Sequence, residues 1–118
     1  MSQPGKKILK KFDVLIQEGE RSTAMYLLQS GQLVVTKKKQ GSEDIQLGFI
    51  YSGELVGEMS FLDNEPRSAT VRAVSDCEVI EIPNALMEKV IDNQPAWFRT
   101  LLRTLTERLR KTNARVRI

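Results

Sequence analysis

Short apolar runs, each ended by glycine or polar residues, fill the chain between residues 13 and 82. Runs of this length, in which apolar and polar positions alternate, are typical of strands. Turn residues that recur at intervals of about ten residues indicate an antiparallel barrel or sandwich. We therefore predict a β-barrel over residues 13–82, with strands at residues 14–16, 24–29, 32–38, 45–51, 69–74 and 77–82.

The apolar period changes to that of a helix at both ends of this region. Ile8, Leu9 and Phe12 predict a short helical turn over residues 6–12. Asn84 suits the N-cap of a C-terminal helix, and Pro95 suits the start of a second one. The predicted fold is one domain over residues 1–118, mainly β with flanking helices. It is an antiparallel β-roll or jelly-roll barrel followed by two C-terminal helices over residues 84–118.

The last helix has apolar residues on two adjoining faces. Spacings that alternate between four and three residues predict a heptad seam for a partner helix, formed by Phe98, Leu102, Leu105, Leu109, Thr112 and Val116. A second stripe is predicted to pack on the barrel, and it consists of Trp97, Leu101 and Leu105. The alternative is one broad apolar face docked on its own domain. We favour a homodimer formed through this helix.

Composition excludes several classes of function. The chain has no histidine, which removes histidine-based catalytic triads and histidine metal ligands, and we expect neither an enzyme nor a metal site. The single Cys77 cannot form an internal disulfide and suits the reducing cytoplasm. No apolar run approaches the ~20 residues of a membrane span, so we expect no membrane partner.

Net charge is unevenly distributed along the chain. Of the 18 Lys and Arg residues, 7 lie in residues 95–118, where there is 1 acidic residue. A basic tail is consistent with nucleic acid, with an acidic partner or with a solvated helix face. Because no aromatic residues alternate with these arginines, we do not expect nucleic acid. Residues 37–39 are lysines at a predicted hairpin tip, where charge favours solubility.

The most specific chemistry lies in residues 57–71. Gly57 predicts a turn that a side chain would obstruct, followed by backbone N–H groups that can face an anion. Glu58 and Arg67 add a carboxylate and a guanidinium, and the Ser68 hydroxyl lies beside the arginine. Such a set suits a ligand with a hydroxyl donor and a compact phosphate, such as a nucleoside cyclic monophosphate. The alternative is a surface ion pair between Glu58 and Arg67, worth about 0–1 kcal/mol.

This segment resembles the phosphate-binding cassette of the cyclic-nucleotide-binding domain family, which includes transcription activators and kinase regulatory subunits. The matching residues are Gly57-Glu58, Ser60 and Pro66-Arg67-Ser68-Ala69-Thr70-Val71. The resemblance implies that Glu58 accepts a hydrogen bond from the ribose 2′-OH. It also implies that the cyclic phosphate is bound by Arg67, Ser68 and the backbone of Gly57, Glu58, Met59 and Ser60. Ser60 departs from the family's usual alanine and adds a hydroxyl.

Residues 109–116 resemble the family segment Leu-x-x-Thr-Ser-x-Lys-Val. This implies that Thr112 and Asn113 contact the purine, Asn113 from either subunit; the alternative is a fraying helix end. The implied ligand is cyclic AMP. Ser68 favours it, because the family's cyclic-GMP binders often have threonine there, and cyclic GMP stays open.

The resemblance implies a sensor in which ligand binding repositions the last helix and its dimer seam, and so acts on an effector protein whose identity is unknown. No helix-turn-helix follows within the 118 residues, so we expect either part of a longer protein or a small stand-alone sensor. The alternative is a degenerate barrel that serves as a protein-interaction or dimerisation module without nucleotide.

Overall fold

The computed structural model describes residues 3–40 and 43–112, which form eight strands and three helices. The strands are β1 (Gly5–Leu9), β2 (Val14–Ile16), β3 (Ala24–Ser30), β4 (Gln32–Lys38), β5 (Asp44–Tyr51), β6 (Leu55–Val56), β7 (Thr70–Ala73) and β8 (Cys77–Pro83). The helices are α1 (Glu58–Asp63), α2 (Asn84–Asp92) and α3 (Ala96–Thr112). The strands predicted at residues 14–16 and 32–38 have the same bounds in the structure.

Two four-stranded antiparallel sheets form the barrel, with strand orders β1–β8–β3–β6 and β2–β7–β4–β5. Both sheets contribute to one core, whose most deeply buried members are Leu28, Leu33, Val35, Val56, Val71 and Val79. Val71 pairs with Val35 across the second sheet and, like Ala73, is fully buried. The predicted β-roll with C-terminal helices is confirmed. This packing fixes β7, the strand that follows Arg67.

The helical turn predicted for residues 6–12 is wrong, because this segment contains strand β1. Lys7 pairs with Val79 and Leu9 with Cys77 in an antiparallel ladder that covers one edge of β8. Leu9 is buried whereas Ile8 is 55% exposed, and all five residues of Gly5–Leu9 pair with residues of β8. A single helical turn is marginal by itself, so pairing with a neighbouring strand decides the conformation.

Helix α2 begins at the residue predicted to cap it, so the helix starts one residue earlier than expected. Asn84 is the first helical residue, Pro83 occupies the N-cap position, and no side chain caps the helix. The Asn84 amide nitrogen instead donates to the carbonyl oxygen of Ser22 at 3.1 Å. Asn84 therefore ties the start of α2 to the segment between β2 and β3, a contact that local sequence cannot specify.

Helix α3 docks on its own domain with a different face from the one predicted. The stripe that we expected on the barrel is exposed: Trp97 is 65% exposed, Leu101 43% and Leu105 47%. Phe98 and Leu102, which we expected in a free seam, are half-buried, and Thr106 is buried. Val116 lies outside the described residues. Both stripes have helical spacing, so only the packing of α3 against α1 and α2 selects the inner one.

Candidate functional site

Gly57 forms a turn between β6 and α1 that a side chain would obstruct, as predicted. Its φ is +85°, a conformation that L-residues with side chains rarely adopt. A Cβ placed on Gly57 would lie 2.7 Å from Nη1 of Arg67. Glycine is thus required here for backbone conformation and for space beside the arginine.

Arg67 is 7% exposed, and its guanidinium contacts main-chain oxygens instead of carboxylates. Nη1 donates to the Gly57 carbonyl at 3.0 Å, and Nη2 donates to the Ala24 carbonyl at 2.6 Å. Burial lowers the pKa of Arg67, while Tyr26 and two glutamates nearby act in the opposite direction. An arginine nevertheless stays protonated in proteins. The structure therefore holds a buried cation on neutral partners.

Glu58, the first residue of α1, is half-buried. Burial raises the pKa of its carboxyl, while its own backbone N–H and the charge of Arg67 lower that pKa. Among the described residues, Glu58 and Arg67 form no ion pair. The alternative of a surface ion pair across a turn is therefore wrong. The two charges interact electrostatically without direct contact, which leaves both available to a ligand.

The next two residues of α1 point into the domain. Met59 is 8% exposed and Ser60 is 2% exposed. The Ser60 hydroxyl is buried and has no hydrogen-bond partner within the described part of the chain. Ser60 is also one of the residues that line a cavity of 340 Å³, together with Arg21, Ser22, Asn64, Glu65 and Pro66. A buried hydroxyl without a partner is costly, so Ser60 is a candidate contact for a bound molecule.

Lys37 and Glu18 also lie beside the cassette, although neither was predicted as a site residue. The Lys37 ammonium donates to the Ser68 carbonyl at 2.8 Å and lies 3.7 Å from the Glu18 carboxylate. The assignment of Lys37 to a solvated hairpin tip was therefore wrong. The alternation of β4 could have indicated this position. Lys37 lies two residues beyond Val35 and four beyond Leu33, so it shares the strand face of these two buried residues.

The two predicted base-contacting residues are less fully described. Thr112 ends α3, but its side chain lies outside the described part of the structure, and so does the whole of Asn113. The cassette does reach α3 at another point. Phe61 and Leu62 of α1 line one cavity of 150 Å³ together with Leu102 and Thr106 of α3.

Within residues 3–40 and 43–112, no group of three or more Cys, Asp or Glu residues is arranged to hold a metal ion. Over the same residues, no helix is long and apolar enough to cross a membrane.

The cassette geometry and the β-roll define the class of protein. The sequence profile of the cyclic nucleotide-binding domain matches residues 6–94. The chain therefore belongs to the cyclic-nucleotide-binding domain family, as a regulatory domain of the kind found in cyclic-AMP-activated transcription regulators and kinase regulatory subunits.

Individual relatives place the domain in different proteins. The chain is 30% identical over 103 residues to the cAMP-activated global transcriptional regulator CRP of Salmonella typhimurium, covering 86% of this chain and 49% of that protein. It is 33% identical over 101 residues to a cGMP-dependent protein kinase of Eimeria tenella, covering 85% of this chain and 9% of the kinase. The cAMP-bound EAL enzyme Bd1971 superposes with a TM-score of 0.80 at 27% identity, covering 93% of this chain and 29% of that one. This chain thus spans about half of the transcription regulator and a smaller part of the two enzymes.

Proposed function

We propose that this domain is a cyclic-nucleotide sensor whose ligand is cyclic AMP. The observation that carries the proposal is the buried Arg67, held by neutral carbonyls beside a carboxylate whose pKa is raised. A guanidinium has five N–H donors, and the two named bonds leave others for a cyclic phosphate. Ser68 and the backbone N–H groups from Gly57 to Ser60 complete the anion site. Glu58 accepts the ribose 2′-OH, and the Ser60 hydroxyl gains a partner.

The choice of cyclic AMP as the nucleotide rests on Ser68 and on the similar proteins. Ser68 in place of threonine favours cyclic AMP over cyclic GMP, and two of the similar proteins are named for cAMP activation or cAMP binding. Another similar protein is a cGMP-dependent kinase. Cyclic GMP is accordingly compared with cyclic AMP in the thermal-unfolding experiment.

The signal travels through α3. Thr112 and Asn113 close on the purine. Helix α1 contacts α3, and Phe61 and Leu62 of α1 line the same cavity as Leu102 of α3. Ligand binding and the position of α3 are then coupled. The coupling free energy is set by how much the ligand's affinity differs between the bound and unbound positions of α3. An effector protein, which the chain does not identify, responds to that change.

Homodimerisation uses the exposed face of α3. In the described part of this helix, four large apolar residues spaced four residues apart are exposed to solvent, namely Trp97, Leu101, Leu105 and Leu109. An apolar stripe of this kind on a helix is typical of an interaction surface. The second copy's stripe is its proposed partner, and this face replaces the heptad seam that begins at Phe98.

Ligand-dependent thermal unfolding tests the proposal. The protein is melted alone and with cyclic AMP, cyclic GMP or 5′-AMP, and the series is repeated on Arg67→Ala. A ligand at 100 times its Kd adds about 2.7 kcal/mol, which raises the Tm of a domain of this size by roughly ten degrees. Losing two or more charge-assisted bonds weakens the affinity of Arg67→Ala by about a hundredfold or more.

Arg72→Ala is the matched control, because Arg72 lies on β7 between the buried Val71 and Ala73 and faces the opposite side of the strand. Both substitutions remove one positive charge, and only the first should abolish the shift. A wild-type protein that shows no shift with any nucleotide would overturn the sensor and favour the degenerate interaction module.

A further inference from the structure

Lys37 lies beside the cassette, although it comes from a different strand. It is the sixth of seven residues in β4 and shares a strand face with Leu33 and Val35, which are buried in the core. Its Nζ donates to the Ser68 carbonyl at 2.8 Å. Its side chain is 37% exposed, so the stem lies in the domain while the ammonium reaches the residue that follows Arg67.

Three consecutive peptide groups around Ser68 each take part in a hydrogen bond with another segment of the chain. The Arg67 N–H donates to the Glu20 carbonyl at 2.8 Å, and the Gly19 N–H donates to the Arg67 carbonyl at 2.8 Å. Lys37 holds the third group through the Ser68 carbonyl. Because each peptide group is planar, fixing the two that flank Ser68 sets its φ and ψ. The directions of the Ser68 N–H and of its Cα–Cβ bond follow.

Lys37 supplies the bond that the sheet does not. The pairing of β4 with β7 runs from Leu33–Ala73 to Thr36–Thr70 and ends before Ser68. The other two bonds use backbone atoms, which any sequence provides. The third depends on a side chain that is long enough and that donates, so it is specific to this residue.

Glu18 holds Lys37 in this position. One Glu18 carboxylate oxygen accepts the Lys38 backbone N–H at 3.0 Å, and the other lies 3.7 Å from Lys37 Nζ. The Glu18 N–H itself donates to the Thr70 hydroxyl at 3.0 Å. The acid is therefore anchored to both neighbouring strands before it contacts the lysine, which limits the orientations open to the ammonium.

We infer that Lys37 is a positioning residue for the nucleotide site, where it fixes the conformation of Ser68 so that its N–H and hydroxyl meet the cyclic phosphate. The inference rests on the proposed function. Its charge also lies near the bound anion, but Glu18 balances that charge, so orientation of the Ser68 peptide is the larger contribution.

Binding to the Lys37→Met variant tests this inference. Cyclic AMP affinity, measured by titration calorimetry, should fall about tenfold, the equivalent of one charge-assisted hydrogen bond. The Tm of the ligand-free variant should stay close to that of the wild type, because Lys37 is partly exposed. In amide NMR spectra, the signals of Ser68 and Ala69 should move. Lys37→Arg keeps a charged donor of similar reach and should recover most of the affinity.

Lys38→Met is the matched control. Lys38 is the next residue of the same strand and pairs with Asp44 at 3.4 Å, away from the cassette, so its loss removes the same charge without touching Ser68. Equal affinity in Lys37→Met and the wild type would overturn the inference. Equal losses in both variants would overturn it too, since they would indicate a general charge effect. If Lys37→Met does not fold, Lys37→Gln is measured against the same control and the same criteria apply.

The failure of the proposed function is distinguishable from these outcomes. If the proposed function is wrong, the wild-type protein itself binds no cyclic nucleotide, and the role of Lys37 in binding is then overturned as well. In every other case the wild type binds, and the variants alone decide the inference.

Discussion

Arg67 and Arg99 show two opposite ways of holding an arginine in this domain. Arg67 is buried and donates to two neutral carbonyls, and burial lowers its pKa. Arg99 is half-exposed and donates to the carboxylates of Glu88 at 3.2 Å and Asp92 at 2.7 Å, and these hydrogen bonds raise its pKa. The Arg67 guanidinium is held in place without contacting a carboxylate. The Arg99 guanidinium contacts two carboxylates.

The difference separates the arginine that we propose to bind the ligand from one that joins two helices. Carbonyl partners orient Arg67 but leave its net charge available, which an anionic ligand can use without displacing a carboxylate. Arg99 joins α2 to α3 and has no such capacity, because an incoming anion would compete with two carboxylates already in place. Hydrogen-bond partners, more than burial alone, therefore distinguish the arginine proposed as a ligand contact from Arg99.

After the loss of Arg67 itself, the largest expected effect comes from disturbing the position of its guanidinium. We expect Gly57→Ala to weaken cyclic AMP binding about thirtyfold, the equivalent of one strong charge-assisted bond. The new methyl group would occupy the position 2.7 Å from Nη1 and push the guanidinium from the Gly57 carbonyl. Titration calorimetry and thermal unfolding of the same preparation measure affinity and stability together.

Gly53→Ala is the control that separates the two effects of Gly57→Ala, the steric clash with Arg67 and the backbone strain. Gly53 has φ +94°, close to that of Gly57, and a Cβ there would meet nothing within 4 Å. Each substitution should cost about 1–2 kcal/mol for a left-handed residue with a side chain. Only Gly57→Ala should also lose affinity, and an equal loss in Gly53→Ala would contradict the role assigned to the space beside Arg67.

A smaller effect is expected from changing the charge near Arg67. Glu58→Gln should weaken cyclic AMP binding about tenfold, because a neutral amide accepts the 2′-OH less strongly than a carboxylate. The ligand-free variant should melt at a higher temperature than the wild type at pH 7, since a half-buried charge is removed. Glu88→Gln, which changes a carboxylate that contacts Arg99, should leave the affinity unchanged.

The stability effect of Glu58→Gln should depend on pH with a defined sign. Burial raises the pKa of Glu58 above its value of 4.5 in the unfolded chain, so the folded protein binds the proton more tightly. The wild type is then destabilised progressively as pH rises through 4.5 to the folded pKa. The Tm difference between variant and wild type should vanish below pH 4.5, and a difference that stays constant with pH would contradict this account.

The smallest effect on the cassette is expected from the exposed face of α3. Leu105→Glu should convert the proposed dimer to a monomer in sedimentation experiments, with a change in protomer stability within about 0.5 kcal/mol, as for other surface positions. Leu102→Glu is the contrasting variant, because Leu102 is half-buried against the domain. If Leu102→Glu dissociates the dimer without destabilising the protomer, the heptad seam beginning at Phe98 is the true interface.

Local signals in the sequence were sufficient for much of the barrel. The strand over residues 32–38 was predicted with its bounds because alternation and turn residues mark both of its ends. The Gly57 turn was also predictable, since glycine is the residue that most readily adopts the left-handed conformation of a tight turn. The N-terminal strand was not predictable, because Ile8, Leu9 and Phe12 fit a helical turn equally well until β8 is present as a partner.

The sequence by itself determined the fold class, the family and the chemical groups of the cassette, because apolar periods and short motifs are local properties of the chain. Only the tertiary structure decided which stripe of α3 is buried and which carbonyls hold Arg67. It alone showed that Lys37 reaches Ser68. Each of these depends on distances between residues far apart in the chain. Ala24 and Arg67 are 43 positions apart, and the sequence between them carries no local signal of their contact.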